Sequence, residues 1–324
     1  MSQPDGEGVK AVPIKIERDM EARERGGRDM GKLHLAIIGV GLIGGSFGLA
    51  VKEKLGERVH ITGLCRSHAS MEAALRRGAV DEASADVAAV VGHADIVYLS
   101  TPVLQMVPMV ETMRPFLKKG TVVTDAGSTK AYLWNEIPPR LPEGVYYVSG
   151  HPMTGKEKSG VEAADKDLFR HKCYVLMEET TAPPEDYQRV ADLVKLTGAN
   201  LTTLDVKRHD RCASMISHVP HVAAAALVTL LSRSGGDLAA ALQLAGGGFK
   251  DTTRIASSNA DMWADICLTN PHAIAGHLRR LADILGEVVE AVEAGDRGAL
   301  HAYFSAAKER RDRILDETGK LFDI

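Results

Sequence analysis

Apolar residues first cluster at Leu33-His34-Leu35-Ala36-Ile37-Ile38, a run of strand length, and a glycine-rich turn then leads into the helix-length segment Leu42 to Leu55. The alternation continues with apolar runs at Val59 to Leu64, Ile96 to Ser100 and Thr121 to Asp125, separated by helical stretches around Ala69 to Gly78 and Val103 to Leu117. Short buried strands alternating with helices build a parallel, doubly wound sheet. Tyr146 to Ser149, Cys173 to Met177 and Leu201 to Leu204 read as further strands. Beyond Asp205 strand signals cease. Val222 to Arg233, Gly236 to Leu244, Pro271 to Ala294 and Leu300 to Leu315 are patterned as helices. The pattern predicts an α/β domain over residues 33–205 and an all-α domain over residues 206–324.

Residues 1–32 mix Gly, Arg, Asp and Glu with little apolar periodicity, and such a segment buries too little surface to offset its chain entropy. A disordered extension is expected there. At 324 residues, 45% hydrophobic and 25% charged, the whole chain has the composition of an ordinary two-domain globular protein. A net charge of -4 gives no basic footprint for nucleic acid. The longest strongly apolar run, Val222 to Leu231, is about half the roughly 20 residues of a membrane span, so no membrane partner is expected. Cys65, Cys173, Cys212 and Cys267 form no paired motif, which argues against zinc and disulfides and for reduced thiols in the cytoplasm. The N-terminus has no apolar stretch and contains many acids, so no targeting pattern is expected there. The apolar helices of the second domain predict a homodimer through that domain.

Gly39-Val40-Gly41-Leu42-Ile43-Gly44 follows a strand and opens a helix, the context of a dinucleotide-binding turn in a Rossmann-type domain. Gly39 allows the tight turn, Gly41 lets a pyrophosphate approach, and Gly44 lets helix and strand pack closely, with phosphates at the helix N-terminus by Leu42 and Ile43. Ser100 and Thr101, closing a later strand, complete the candidate cofactor contacts. An acid should follow about 20 residues after the turn, to bind the ribose diol. The second strand ends instead in Cys65-Arg66-Ser67, and a cation with a hydroxyl suits a 2′-phosphate. The cofactor is therefore expected to be NAD(P), with NADP favoured through Arg66.

Three more polar constellations follow. Asp125-Ala-Gly-Ser128-Thr-Lys130 and Gly150-His151-Pro152-Met153-Thr154-Gly155-Lys156-Glu157-Lys158-Ser159-Gly160 each succeed a strand, where open α/β sheets bind ligands. Flanked by Gly and Pro, His151 is expected to be exposed near the cofactor. In the helical half stand His209-Asp210 and Ser217-His218-Val219-Pro220-His221; two histidines three apart lack further ligands at metal spacing, so no metal is expected. Pro220 suits a helix's first turn and predicts a helix start there. Last come Gly246-Gly247-Gly248-Phe249-Lys250-Asp251-Thr252-Thr253-Arg254-Ile255-Ala256, then Trp263 and Asn270. Arg254 offers a planar fork for a carboxylate, though taken by itself an ordinary salt bridge, for instance to Asp251, explains it better.

Taken together these five motifs, in this order from Leu33 to about Ile314, resemble the prephenate and arogenate dehydrogenases. The resemblance implies a helical dimerisation domain, substrate between the two domains, and oxidative decarboxylation of prephenate in tyrosine biosynthesis. It implies His151 as general base, Ser128 as the residue bonding the substrate hydroxyl, and Arg254 as the carboxylate grip. Ser217, His221, Asp251 and Trp263 match other substrate-pocket positions. His221 resembles the prephenate users more than the arogenate users. The chain ends soon after its last helix, so the regulatory ACT-type domain of some relatives is not expected. Two other readings remain: a β-hydroxyacid dehydrogenase, for which the required Lys with Asn four residues on is missing because Lys195 precedes Ala199 at that spacing, and a non-catalytic NADP sensor, against which Ser128, His151 and Arg254 speak.

Overall fold

The computed structural model describes residues 32–156, 158–233 and 235–318; the extension expected over residues 1–32 lies outside them except for Lys32. Eight strands, β1 (Leu33–Ile38), β2 (Val59–Leu64), β3 (Glu82–Ser84), β4 (Ile96–Leu99), β5 (Val122–Asp125), β6 (Tyr146–Pro152), β7 (Cys173–Thr180) and β8 (Asn200–Leu204), form one sheet. Their order is β3-β2-β1-β4-β5-β6-β7-β8. The pairings are parallel except for that of β6 with β7, which corrects the expectation of a wholly parallel sheet. A parallel return needs a crossover, usually a helix. Between β6 and β7 the described chain has only a single turn of 3-10 helix, Val161–Ala163.

Six helices cover the sheet: α1 (Leu42–Leu55), α2 (His68–Arg76), α3 (Val87–Val91), α4 (Val103–Met113), α5 (Ala131–Glu136) and α6 (Pro184–Leu196). Strand side chains alternate between faces. Leu35 and Ile37 of β1 therefore join Phe47 and Val51 of α1 and Leu193 of α6 in one core, while Ala36 and Ile38 join Met106 and Val110 of α4 and Leu133 of α5 in the other. Burial on both faces is why β1 reads as a continuous apolar run. Each fully buried Ile or Leu contributes about 1.5–3 kcal/mol.

Past β8 the chain is helical, with α7 (Val206–Ala213), α8 (Val219–Ser232), α9 (Leu238–Leu244), α10 (Gly247–Thr253), α11 (Ala260–Thr269), α12 (Pro271–Glu293) and α13 (Arg297–Thr318). The helix expected to start at Pro220 instead continues a longer stretch. A π turn, Ser214–His218, joins α7 to α8. In a regular helix the Pro220 ring would collide with the carbonyl of Ile216, and the wider turn accommodates it. The joined stretch Val206–Ser232 is 27 residues with a mean hydropathy of 1.5 in its most apolar part, enough by length and composition to cross a bilayer. Its N-terminal half, however, carries the buried polar residues His209, Asp210, Ser214 and His218, which bond to neighbouring segments.

Candidate active site

The cofactor side of the site is built mostly from backbone. Gly39, the residue after β1, has φ +92°, a conformation that disfavours side chains, and a Cβ there would lie 2.9 Å from Thr101 Cγ2. A Cβ on Gly44 would overlap Ser100 Oγ and Gly39 O, so α1 can lie this close to β4 only with glycine. Ser100 Oγ donates to Gly39 O (2.9 Å) and Ile38 O (3.2 Å), tying the end of β4 to the turn.

Around Gly41 the space is open: a Cβ would meet no atom within 4 Å. No side chain caps α1, and Leu42 and Ile43 form its half-buried first turn. Uncapped amides at a helix N-terminus facing open space fit a pyrophosphate. Beside them Thr101 Oγ1 is buried with no hydrogen-bond partner among the described residues, as expected of a wall that a bound dinucleotide completes. At the end of β2, Cys65 is buried and Arg66 exposed. The neighbouring Ser67 hydroxyl accepts from Ser70 N (3.2 Å) as the cap of α2.

The opposite wall is built from side chains. A bulge between β6 and β7 shifts their register between Val148 and Gly150, just before His151, and bulges re-aim side chains. Gly150 brings β6 against its neighbours, since a Cβ there would stand 3.0 Å from both Leu176 Cδ2 and Tyr174 Cε1. His151 is not in an exposed loop, as the sequence implied. It is the penultimate residue of β6 and 7% exposed, because β6 extends to Pro152 and α7 covers its end.

Behind β6 sits a fully buried ion pair, Lys130 with Asp125. The Asp125 carboxylate also accepts from Tyr147 Oη (2.7 Å), Ser149 Oγ (2.9 Å) and Gly127 N (2.7 Å), and Lys130 Nζ donates to Gly150 O (2.6 Å). These bonds compensate the desolvation of both charges. Ser128 stands half-buried in the same loop, two residues before Lys130.

Helix α7 closes the site. Its positions Val206, His209, Asp210 and Ala213 are buried at i, i+3, i+4, i+7 spacing, so two titratable side chains occupy the stripe that faces the sheet. A 2.8 Å hydrogen bond joins His151 Nδ1 and His209 Nε2, and a 2.9 Å one joins His209 Nδ1 and Asp210 Oδ1. The Asp210 carboxylate accepts from Lys130 N (2.7 Å) and Ala131 N (2.9 Å) at the start of α5. Asn270 Nδ2 donates to Asp210 O (2.8 Å) and lies 3.4 Å from His218 Nδ1. His221 stacks on Trp263 with ring centroids 3.6 Å apart, and His218 meets the same indole edge-on at 6.0 Å. Trp263 Nε1 is buried without a hydrogen-bond partner among the described residues.

These surroundings set the charge state. Burial first, then the electrostatic influence of neighbouring His209, Lys130 and His218, holds the His151 imidazole well below its ordinary 6.5. Burial likewise lowers His218 to about 4, against the pull of Asp210, and lowers His221. Near neutral pH His151 is an uncharged base.

Among the residues expected to act, Gly39, Gly41, Leu42, Ile43, Gly44, Ser100 and Thr101 converge on the cofactor side, with Arg66 at the end of β2. His151, Ser128, His221 and Trp263 belong to the opposite wall or its border, and half-buried Ser217 lies in the π turn. Asp251 and Arg254 stand further out, both exposed, on α10 and in the following turn Arg254–Ser257. Arg254 lines an open hollow of about 470 Å³ with Phe249, Lys250, Thr253 and Ser257. His209, Asp210, Lys130 and Asn270 had no role in the sequence reading. Their signal was the phase of α7, which puts His209 and Asp210 on the apolar stripe with Val206 and Ala213.

A dinucleotide cradle and a buried neutral imidazole on one edge of the sheet, with helix α7 packed over that imidazole, define a nicotinamide-dependent oxidoreductase. Residues 47–203 match the prephenate dehydrogenase nucleotide-binding domain and residues 205–306 the prephenate dehydrogenase dimerization domain. The chain belongs to the prephenate dehydrogenase family. It is 35% identical over 282 residues to prephenate dehydrogenase of Bacillus subtilis, covering 86% of this chain and 76% of that one. Its fold matches the crystal structure of prephenate dehydrogenase from A. aeolicus in complex with hydroxyphenyl propionate and NAD+ with a TM-score of 0.81, at 29% identity over 89% of this chain and 100% of that one. It also matches Synechocystis arogenate dehydrogenase, with a TM-score of 0.73 at 26% identity, over 87% of this chain and 99% of that one.

Proposed function

We propose that this chain is a prephenate dehydrogenase, converting prephenate to 4-hydroxyphenylpyruvate and CO2 in tyrosine biosynthesis. The observation that carries this reading is His151, neutral and buried at the end of β6, on the same C-terminal edge of the sheet as the cradle of Gly39, Gly41 and Gly44 that follows β1. A bound nicotinamide nucleotide supplies the hydride acceptor. His151 takes the ring hydroxyl's proton as hydride leaves the same carbon, and Ser128 bonds that hydroxyl. Arg254 grips a substrate carboxylate, and Ser217, His221, Asp251 and Trp263 shape the remaining pocket. The Trp263 indole N–H, without a partner among the described residues, is a donor available to substrate. Loss of the carboxylate opposite the hydroxyl makes the ring aromatic and the reaction irreversible. The chain's contribution is alignment and a base within reach.

Prephenate is favoured over arogenate because His221 is present in the site, stacked on Trp263. NADP is favoured over NAD because β2 is followed by exposed Arg66 and no carboxylate. The helical domain joins two copies into a homodimer. Reduction of nicotinamide, followed spectroscopically with prephenate and arogenate each crossed with NAD and NADP, tests all of the chemistry. The fastest reaction should be prephenate with NADP, and Arg66→Ala should weaken NADP binding while sparing NAD. Reduction only with arogenate would overturn the substrate assignment, and equal use of both nucleotides would remove Arg66 from cofactor choice.

A further inference from the structure

Lone imidazoles in enzymes rotate and exchange tautomers unless a second group holds them. Here the inner nitrogen of His151 meets His209 at 2.8 Å, and the far nitrogen of His209 meets Asp210 at 2.9 Å. All three side chains are more than nine-tenths buried. We infer that His209 and Asp210 are a positioning relay for His151, fixing which of its nitrogens carries the proton and drawing off the charge it acquires during turnover. The inference rests on the reading of His151 as the base.

Proton bookkeeping follows from the partners. Asp210 Oδ1 already accepts from Lys130 N, and an ionised carboxylate only accepts, so His209 Nδ1 carries a hydrogen and donates it to Asp210. A neutral His209 then has a bare Nε2, which accepts from His151 Nδ1–H. That leaves the lone pair of His151 on Nε2, the nitrogen turned away from the relay. In turnover the substrate O–H bond breaks and its proton bonds to His151 Nε2. The C–H pair leaves as hydride to the nicotinamide, and the oxygen forms a C=O bond. The His151 Nδ1 proton shifts to His209 Nε2, so the positive charge rests against Asp210 instead of beside Lys130. When CO2 leaves, the electrons of its bond return through the ring to the oxygen. The proton then retraces its path to give the phenol, with none gained or lost.

The geometry also explains why Asp210 is placed where it is. Its carboxylate is fixed by two amides at the start of α5, from Lys130 N and Ala131 N. The charged or titratable groups facing His151 are His209 and Asp210 from α7, His218 from the π turn, and Lys130 with its partner Asp125 from the end of β5. Lys130 disfavours an imidazolium on His151. Passing the charge to His209 relieves that conflict.

Nitrogen-15 NMR of the imidazoles in the whole enzyme reads the tautomer directly, with His151→Asn used to assign the signal. The relay requires His151 as the Nδ1–H form, with a bare Nε2; a wild-type His151 protonated on Nε2 overturns it. In kinetics, His209→Leu should lower kcat on the order of 10²-fold or more while substrate KM and cofactor Kd stay within about twofold. His209→Gln, which keeps an acceptor for His151 Nδ1–H, should recover much of that loss. A His209→Leu enzyme with near-normal kcat, or one in which kcat, KM and Kd collapse together while His209→Gln does the same, would make His209 structural and end the proposal. If wild-type enzyme does not oxidise prephenate, the assignment of function fails, and the tautomer measurement still decides the relay.

Discussion

The two halves of this molecule bury their apolar residues very differently. In the sheet domain Ile37, Ile38, Ile96 and Val97 have no exposed surface. In the helical domain Leu230 is 69% exposed, Leu244 85% and Phe304 64%, and Val289 and Val292 are also open. The sheet domain satisfies itself within one chain, as two-sided parallel sheets do. The helical domain presents contiguous apolar faces of the kind that mark an interaction surface. The site divides along the same line, because His151 is set on the rigid sheet while Asp251 and Arg254 stand on exposed helical turns. On the proposed function, the chemistry falls to the half whose apolar residues are covered, and the grip on substrate to the half whose apolar residues stand exposed.

Each contrast can be broken by mutation. His151→Asn should give the largest effect, a loss of about 10²- to 10⁴-fold in kcat with cofactor Kd nearly unchanged; near-normal turnover would remove His151 from the chemistry. Ile96→Ala should cost about 2–5 kcal/mol in denaturant unfolding, whereas Leu230→Ala should cost less than about 0.5 kcal/mol within the chain. Equal costs would erase the distinction between the halves. Arg254→Ala should raise substrate KM about 10- to 100-fold, the value of one charged hydrogen bond, with kcat little changed. Leu230→Asp combined with Val289→Asp should shift sedimentation from dimer toward monomer and leave cofactor Kd alone, since the cradle lies entirely in the sheet domain.

The smallest effect concerns pH. His151 must be neutral to accept a proton, and its surroundings hold it well below 6.5. The acid limb of kcat/KM therefore falls below pH 6.5, with activity retained above it and lost as pH drops through the lowered value. A limb at or above 6.5 would contradict the burial of this imidazole as the source of its charge state.

Much of this was legible in the chain. Two-sided burial made β4 and most of β1 read as apolar runs, and the turn from Gly39 to Gly44 stood in its proper context. Residues Glu82–Ser84 of β3 were missed because a three-residue edge strand of Glu, Ala and Ser has no apolar period. Helix α6 was missed although its stripe of Val190, Leu193 and Val194 is regular, because it lies between two strand signals that drew the reading past it. The antiparallel turn of β7 depends on what joins it to β6, and apolar runs do not encode direction. Around the site, Ser128, His151 and His221 were found through motifs, but the burial of His151 was not, since α7 arrives from more than fifty residues away in sequence to cover it. His209 and Asp210 stood out as a polar pair but received no role, because polar residues on a helix look exposed until the partners across it are known.

The most direct measurement is the stoichiometry of a complete reaction with prephenate: reduced nicotinamide, CO2 and 4-hydroxyphenylpyruvate, counted together. Oxidative decarboxylation at this site predicts equal amounts of all three. Reduced nicotinamide without CO2, or no reduction at all, would contradict it.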